Sequence, residues 1–240
     1  MTPPAPPACL QESLRPFRLY TILALGTLVF VALAWLTTTG FGEASNKALI
    51  GVFHTGDEPR QLIGPEWMHE AARDMTALGS ISMIVLSTVA VAIWLLLQGQ
   101  WRTATLMATS VAGGTLASFL LKRGFDHPRP DLLEGGTQVF TSSFPSSHAM
   151  ASLVCFASLA LALGFARARP RALNAWLFSM AAGVSLIAGL SRVYLGVHWP
   201  MDVLAGWAAG LAWIALCLLV TRSLFTSWLA RETVESGRRQ

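Results

Sequence analysis

Six apolar stretches dominate this chain, at about 19–38, 80–98, 103–121, 149–166, 173–190 and 202–221, and none has an Asp, Glu, Lys or Arg in its interior except Asp202 at the start of the last. Each approaches the ~20 residues that an α-helix needs to cross a bilayer core. In lipid, backbone N–H and C=O groups have no water to turn to, and an isolated strand would leave them unpaired. The stretches therefore predict helices, and the fold class is all-α, a six-helix transmembrane bundle. Composition agrees: 53% of residues are hydrophobic and 12% charged, where soluble domains run near ~25% charged. The organisation is one integral-membrane domain over 1–240. It has an N-terminal tail at 1–18, an outer loop at 40–79 and an inner C-terminal tail at 222–240. Cys9, Cys155 and Cys217 do not suggest a disulfide framework. Met1 to Gln11 is Pro-rich without an apolar core, so no signal peptide is read there.

Orientation follows from the arginines. With the N-terminus inside, the inner segments hold Arg15, Arg18, Arg102, Arg167, Arg169, Arg171, Arg222, Arg231, Arg238 and Arg239, ten of the 17 Lys and Arg. Four of the other seven (Lys122, Arg123, Arg129, Arg192) fall in the polar segments described next. This topology puts residues 122–147 and 191–201 on the outer side and 167–172 inside.

Outside the spans, Pro59 to Met75 mixes apolar and charged residues. It suits an amphipathic helix on the outer leaflet or a cap packed on the loops. His54 and His69 read as ordinary surface residues, and Asp126, His127, Asp131 and Glu134 as loop polar groups. Gly206 and Gly210 form a G-x-x-x-G pair, read as close packing within the bundle rather than dimerisation. Trp101 and Trp199 read as interfacial anchors.

Three polar segments sit at the ends of apolar runs: Lys122 to Pro130, Phe144 to His148, and Ser191 to Asp202. The proposed topology brings all three to one face. Ionisable groups beside membrane helices mark functional sites by default. Lys122, Arg129 and Arg192 supply three fixed cations, and Arg forks suit phosphate oxygens bidentately. Ser146 and Ser147 open a helix, whose free N–H groups bind anions. A second helix opens on the same face at Pro200, so two helix N-termini are expected to converge on one anion. Phosphoryl transfer is mostly positioning and charge stabilisation. His198 and Asp202, four apart, share a helical face. A carboxylate on one imidazole nitrogen fixes the tautomer and leaves the other nitrogen free to attack. His148 lacks such a partner and suits protonation of the leaving oxygen.

The three segments resemble the signature of the type 2 phosphatidic acid phosphatase superfamily, K-x6-R-P, P-S-G-H and S-R-x5-H-x3-D. Lys122 to Arg129-Pro130 fits the first part. Ser191-Arg192, His198 and Asp202 fit the third. In the second, Ser147 stands where the family usually has Gly. The resemblance implies a six-helix bundle with its site near the membrane surface. It implies a phosphohistidine at His198 oriented by Asp202, His148 as the acid, and Lys122, Arg129, Ser146, Ser147 and Arg192 on the phosphate. No metal and no other cofactor is expected.

Other readings of the same residues remain. His148, His198 and Asp202 are possible zinc ligands, although three nearby cations would repel the ion. A lipid carrier or scramblase without hydrolysis would more naturally show polar residues or broken helices at mid-depth. Vanadate-dependent peroxidase chemistry shares these motifs but fits soluble chains better. The expected partners are the bilayer and a membrane lipid phosphate, with no nucleic acid. The first-choice substrate is a polyprenyl diphosphate such as undecaprenyl diphosphate. Phosphatidylglycerophosphate, phosphatidic acid and lipid A phosphate are alternatives. The expected location is a bacterial cytoplasmic membrane with the site facing the periplasm. The sequence leaves the oligomeric state open.

Overall fold

The computed structural model describes residues 15–55, 61–130, 141–166 and 170–237. Cys9, Asp131, Glu134, Arg167, Arg169, Arg238 and Arg239 lie outside the described residues. The helices are α1 (Pro16–Thr38), α2 (Glu43–Gly51), α3 (Glu66–Thr76), α4 (Ile81–Leu97), α5 (Trp101–Arg123), α6 (Ser147–Ala166), α7 (Arg171–Tyr194) and α8 (Pro200–Gly237). A single 3-10 turn, Ala77–Gly79, joins α3 to α4. Two-residue strands β1 (His54–Thr55) and β2 (Gln61–Leu62) pair antiparallel. The fold is all-α apart from that small ladder, and each expected span matches a helix.

Five helices are long and apolar enough to cross a membrane: α1, α5, α6, α7 and the first 24 residues of α8. A sixth span is reached if α3 with its 3-10 turn and α4 count as one element, bent by 52°. Alone, the 17 residues of α4 reach about 26 Å at 1.5 Å per residue, short of a ~30 Å hydrocarbon core. The last helix runs on to Gly237, into the segment read as an inner tail.

Local sequence explains the element ends. Pro16 occupies the first turn of α1, where its missing N–H costs nothing. Ser80 caps α4, its Oγ accepting from Met83 N at 3.3 Å. Gly99, at φ +72°, lets the chain reverse between α4 and α5. Several hydroxyls within the spans are satisfied on their own helix, as Thr105 is on the Trp101 carbonyl at 2.9 Å and Thr109 on the Thr105 carbonyl at 2.8 Å.

The centre of the bundle is α6, with 61% of its span buried against 17–39% for the other four. One cluster joins Ile84 and Leu95 of α4, Met107 and Val111 of α5, and Ala151, Cys155 and Leu159 of α6. The glycines of α8 face α6. A Cβ on Gly206 would lie 2.5 Å from the Ser146 carbonyl oxygen, and one on Gly210 would lie 3.2 Å from Leu153 Cδ2. The G-x-x-x-G pair therefore packs inside the bundle. This contact lets the start of α8 lie against the start of α6, where Ser146 N donates to the Asp202 carbonyl at 2.9 Å.

The segment before α4 is a cap at one end of the bundle. Tyr194 of α7 donates to the Ile63 carbonyl at 2.7 Å and stacks obliquely near His69. Trp67 and Met75 nonetheless stay exposed, so α3 has both a packed side and an apolar open side. His54 is buried rather than a surface residue, because its Nδ1 lies 2.9 Å from the Ile50 carbonyl at the end of α2.

Candidate active site

The spacing of Arg192 and His198 is set by how α7 ends. Gly196 adopts φ +62°, a conformation that favours glycine. Gly196 N donates to the Val193 carbonyl at 3.0 Å and Val197 N to the Arg192 carbonyl at 3.1 Å. These two bonds form a Schellman turn. The turn reverses the chain so that Arg192, on the last turn of α7, and His198, just before α8, face the same space. Asp202 then sits on the first turn of α8 and accepts from Trp199 N at 2.9 Å through Oδ2, one half of a capping box.

His198 and Asp202 are both almost wholly buried. Their direct contact, Nδ1 to Oδ2, is 3.4 Å, longer than an ordinary N–H···O bond of ~2.7–3.2 Å. Ser143, also buried, lies between them. Its Oγ is 3.2 Å from His198 Nδ1 and makes a short bond to Asp202 Oδ2. On the other side of the ring, Arg129 Nη1 lies 3.3 Å from Nε2. A guanidinium can only donate, so Nε2 carries the lone pair and Nδ1 the proton.

The three cations surround this histidine. Arg129 is anchored by backbone oxygens, with Nη1 on Val197 at 2.8 Å and Nε on Thr141 at 3.2 Å. Lys122 Nζ, on the last turn of α5, donates to the Ser142 carbonyl at 3.0 Å. Arg192 Nη1 donates to Thr76 Oγ1 at 3.2 Å, while its Nε is buried without a partner. Among the described residues, no carboxylate lies within salt-bridge distance of Lys122, Arg129 or Arg192. Three partly buried cations without a counterion form a strong anion site. Burial pushes His198 well below the usual imidazole range, and Arg192, Lys122, Arg129 and His148 all act in the same direction. Burial also draws Arg129 down, opposed by Asp202. His127 is lowered by burial against the opposing charge of Asp126.

His148 lies in the first turn of α6. It packs under the 3-10 turn, so that a Cβ on Gly79 would lie 3.1 Å from both its Cβ and Cδ2. Ser146 and Ser147 begin the same helix, and the Oγ atoms of both are buried without partners. Neither hydroxyl acts as the expected helix cap. At the start of α8 one expected anion donor is already taken, since Met201 N donates to Asn46 Oδ1 of α2 at 3.1 Å. So α8 contributes less to an anion than two converging N-termini implied. No three His, Cys, Asp or Glu side chains among the described residues come together as a metal site needs.

A family-level sequence match covers residues 103–225, from the start of α5 into α8, and the family is the PAP2 superfamily. The chain belongs to the PAP2 superfamily. It is accordingly an integral-membrane phosphatase of a lipid phosphatase family. Among similar proteins, phosphatidylglycerophosphatase B of Bacillus subtilis (strain 168) is 26% identical over 184 residues, 77% of this chain and 87% of the relative. An undecaprenyl-diphosphatase of Sulfolobus acidocaldarius is 37% identical over 73 residues, and the match spans only 30% of either chain. A crystal structure of a transmembrane PAP2-type phosphatidylglycerolphosphate phosphatase from Bacillus subtilis shares the fold at a TM-score of 0.75 and 24% identity. That match covers 84% of this chain and 96% of the other.

All eight expected PAP2 site residues (Lys122, Arg129, Ser146, Ser147, His148, Arg192, His198 and Asp202) come to the same end of the bundle. Five neighbours were not read from the sequence, one of them Ser142, whose carbonyl accepts from Lys122 Nζ. Ser143 precedes the Pro-Ser-Ser-His segment, Thr141 carries Arg129, and Thr76 and Gly79 belong to the cap, about 70 or more positions before the residues they touch. Ser143 had a local signal only in the run of four serines it forms with Ser142, Ser146 and Ser147. His127, read as a loop polar group, serves through its backbone: its N–H reaches Ser142 Oγ at 3.2 Å and its carbonyl accepts from Ser143 N at 2.8 Å.

At position 147 this PAP2 chain departs from the usual glycine. The Ser147 hydroxyl makes no bond, so its removal breaks no protein contact. Ser147→Gly should keep turnover within about tenfold of the parent, or ~1.4 kcal/mol. Steady-state rates on one substrate check this, and a larger fall would give the hydroxyl a direct role on the phosphate.

Proposed function

We infer that this PAP2 phosphatase removes a phosphate from a membrane-borne lipid phosphate or diphosphate through a phosphohistidine on His198. The observation that carries the reading is the set of three cations without carboxylate partners around a buried, neutral imidazole. Lys122, Arg129 and Arg192 hold the phosphoryl oxygens, joined by the Ser146 hydroxyl and by backbone N–H groups at the start of α6, that of Ser147 among them. Arg129 leaves Nε2 for the phosphate as substrate enters, which frees the lone pair. Nε2 attacks phosphorus, the bond from phosphorus to the leaving oxygen breaks, and His148 gives that oxygen its proton. Asp202 stabilises the imidazolium that results. Water then attacks the phosphohistidine and gives its proton to His148. The P–N bond breaks, and inorganic phosphate leaves with His198 neutral again. No step requires a metal.

The arginine skew supports placing the site on the outer face of the membrane, and the bacterial relatives fit a bacterial cytoplasmic membrane. Polyprenyl diphosphate, such as undecaprenyl diphosphate, is the first-choice substrate. The supports are the relative that is an undecaprenyl-diphosphatase and the cation count, which suits the greater charge of a diphosphate. Phosphatidylglycerophosphate is the second choice, supported by the relative with the longer match.

Phosphate release by the purified protein, measured across undecaprenyl diphosphate, phosphatidylglycerophosphate, phosphatidic acid and lipid A, tests the reading. Turnover should survive excess chelator, and vanadate should inhibit as a phosphate mimic. Activity lost on chelation and restored by zinc would overturn the metal-free mechanism. Lipid transfer without phosphate release would replace hydrolysis by a carrier function.

A further inference from the structure

We propose that Ser143 is a positioning residue for the reaction, linking Asp202 to His198 through its hydroxyl. This rests on the reading of His198 as nucleophile and deepens it. The direct contact from Nδ1 to Oδ2 is 3.4 Å, whereas Ser143 Oγ is 3.2 Å from the same Nδ1 and bonds the same Oδ2. A serine hydroxyl has one proton and two lone pairs. Ser143 gives its proton to the carboxylate and accepts the Nδ1 proton with a lone pair. The order His198 N–H to Ser143 O–H to Asp202 fixes the tautomer that exposes Nε2. As positive charge grows on the ring during attack, both bonds strengthen in series, because each hydrogen bond polarises the next.

The surroundings hold Ser143 for this task. It is fully buried, and its N–H is bound to the His127 carbonyl at 2.8 Å. Its neighbour Ser142 accepts from Lys122 Nζ at 3.0 Å through its carbonyl and from His127 N at 3.2 Å through Oγ. The same short segment therefore carries both the link to the nucleophile and an anchor for one phosphate-binding cation. Asp202 Oδ2 also accepts from Trp199 N, so the carboxylate is fixed independently. What Ser143 adds is the connection to the ring.

The test compares Ser143→Ala and Ser143→Cys with the parent, and with His198→Ala and Asp202→Asn, in detergent-solubilised full-length protein. His198→Ala first checks the underlying reading, since retained turnover there would remove the nucleophile and the proposal together. With that variant inactive, Ser143→Ala should lower kcat by about 10- to 100-fold, the range for one lost bond to a charged group. KM should stay nearly unchanged, because no phosphate contact is lost. Cysteine, a weaker donor and acceptor, should give an intermediate kcat. Ser143→Ala combined with Asp202→Asn should be no slower than Asp202→Asn alone, as expected of residues acting in one chain. The Nδ1 proton in the magnetic resonance spectrum of 15N-His protein should shift on Ser143→Ala in the resting enzyme, which keeps the proposal testable should turnover fall through poor folding. An unchanged kcat, an additive double variant, or an unmoved Nδ1 proton would overturn the link while leaving His198 as nucleophile.

Discussion

Replacing His198 by Ala should abolish both turnover and any trapped phosphoenzyme. Alanine leaves no nitrogen to attack phosphorus, while the three cations that bind the phosphate stay in place. Removal of a residue at the heart of a covalent mechanism costs on the order of 10⁵–10⁶ in kcat in well-studied hydrolases. Binding should therefore persist in the His198→Ala protein while chemistry stops. Asp202→Asn should fall between this variant and the parent, because the amide keeps the side chain's shape but loses the charge facing the imidazolium. A loss on the order of 10²–10⁴ is expected, by analogy with the carboxylate of serine-protease triads. The pH dependence follows from the same histidine. Burial and four neighbouring positive or polar groups hold its pKa well below the ordinary value. A lowered pKa means the ring stays neutral as the pH falls through ~6.5, where free imidazole protonates. The acid limb of kcat/KM, which reports the free enzyme, should therefore lie below that value. Near-normal rates in His198→Ala, with labelled phosphoenzyme still recovered, would reverse the roles of the two histidines.

The sequence was most informative where one physical rule dominates. Spans were legible because lipid tolerates few ionisable groups, and α1, α5, α6, α7 and α8 all cover the expected runs. The gathering of the three segments at one end of the bundle was legible because four helix ends inherit their side from the alternation of spans. The start of α6 was also visible from its serines, although neither hydroxyl caps it, whereas the Gly196 turn that brings Arg192 and His198 together was not read from the sequence. The remainder depends on contacts between distant segments. Thr76 reaches Arg192 across 116 positions and Ser143 reaches Asp202 across 59. No spacing rule encodes such a meeting. The placement of α3 was ambiguous for a related reason. A mixed apolar and charged helix satisfies a membrane surface and a protein cap equally, and α3 uses both faces. The direct pairing of His198 with Asp202 was inferred from their separation of four. That spacing does bring them together, but it cannot reveal a third residue inserted from another loop.

Replacing His148 by Ala should leave a different trace from the loss of the nucleophile. His148 packs closely under Gly79 of the 3-10 turn, at the same end of the bundle as His198. In the proposed mechanism it protonates the departing oxygen. That service matters most when the oxygen leaves as a poor alkoxide, as from a lipid phosphate monoester. It matters least when the leaving group is already stable, as a nitrophenolate or the phosphate end of a diphosphate is. The His148→Ala protein should lose on the order of 10²–10⁴ in rate on a monophosphate ester, the usual contribution of a positioned acid. On an activated aryl ester the first step should be nearly spared. The second step still needs a base to activate water, so phosphoenzyme should accumulate on the activated substrate. Rapid-quench measurement of labelled protein beside released nitrophenol separates the two steps. A burst of nitrophenol followed by slow turnover is the expected pattern. Equal losses on both substrate types, with no accumulated phosphoenzyme, would show that His148 binds the phosphate rather than moving a proton.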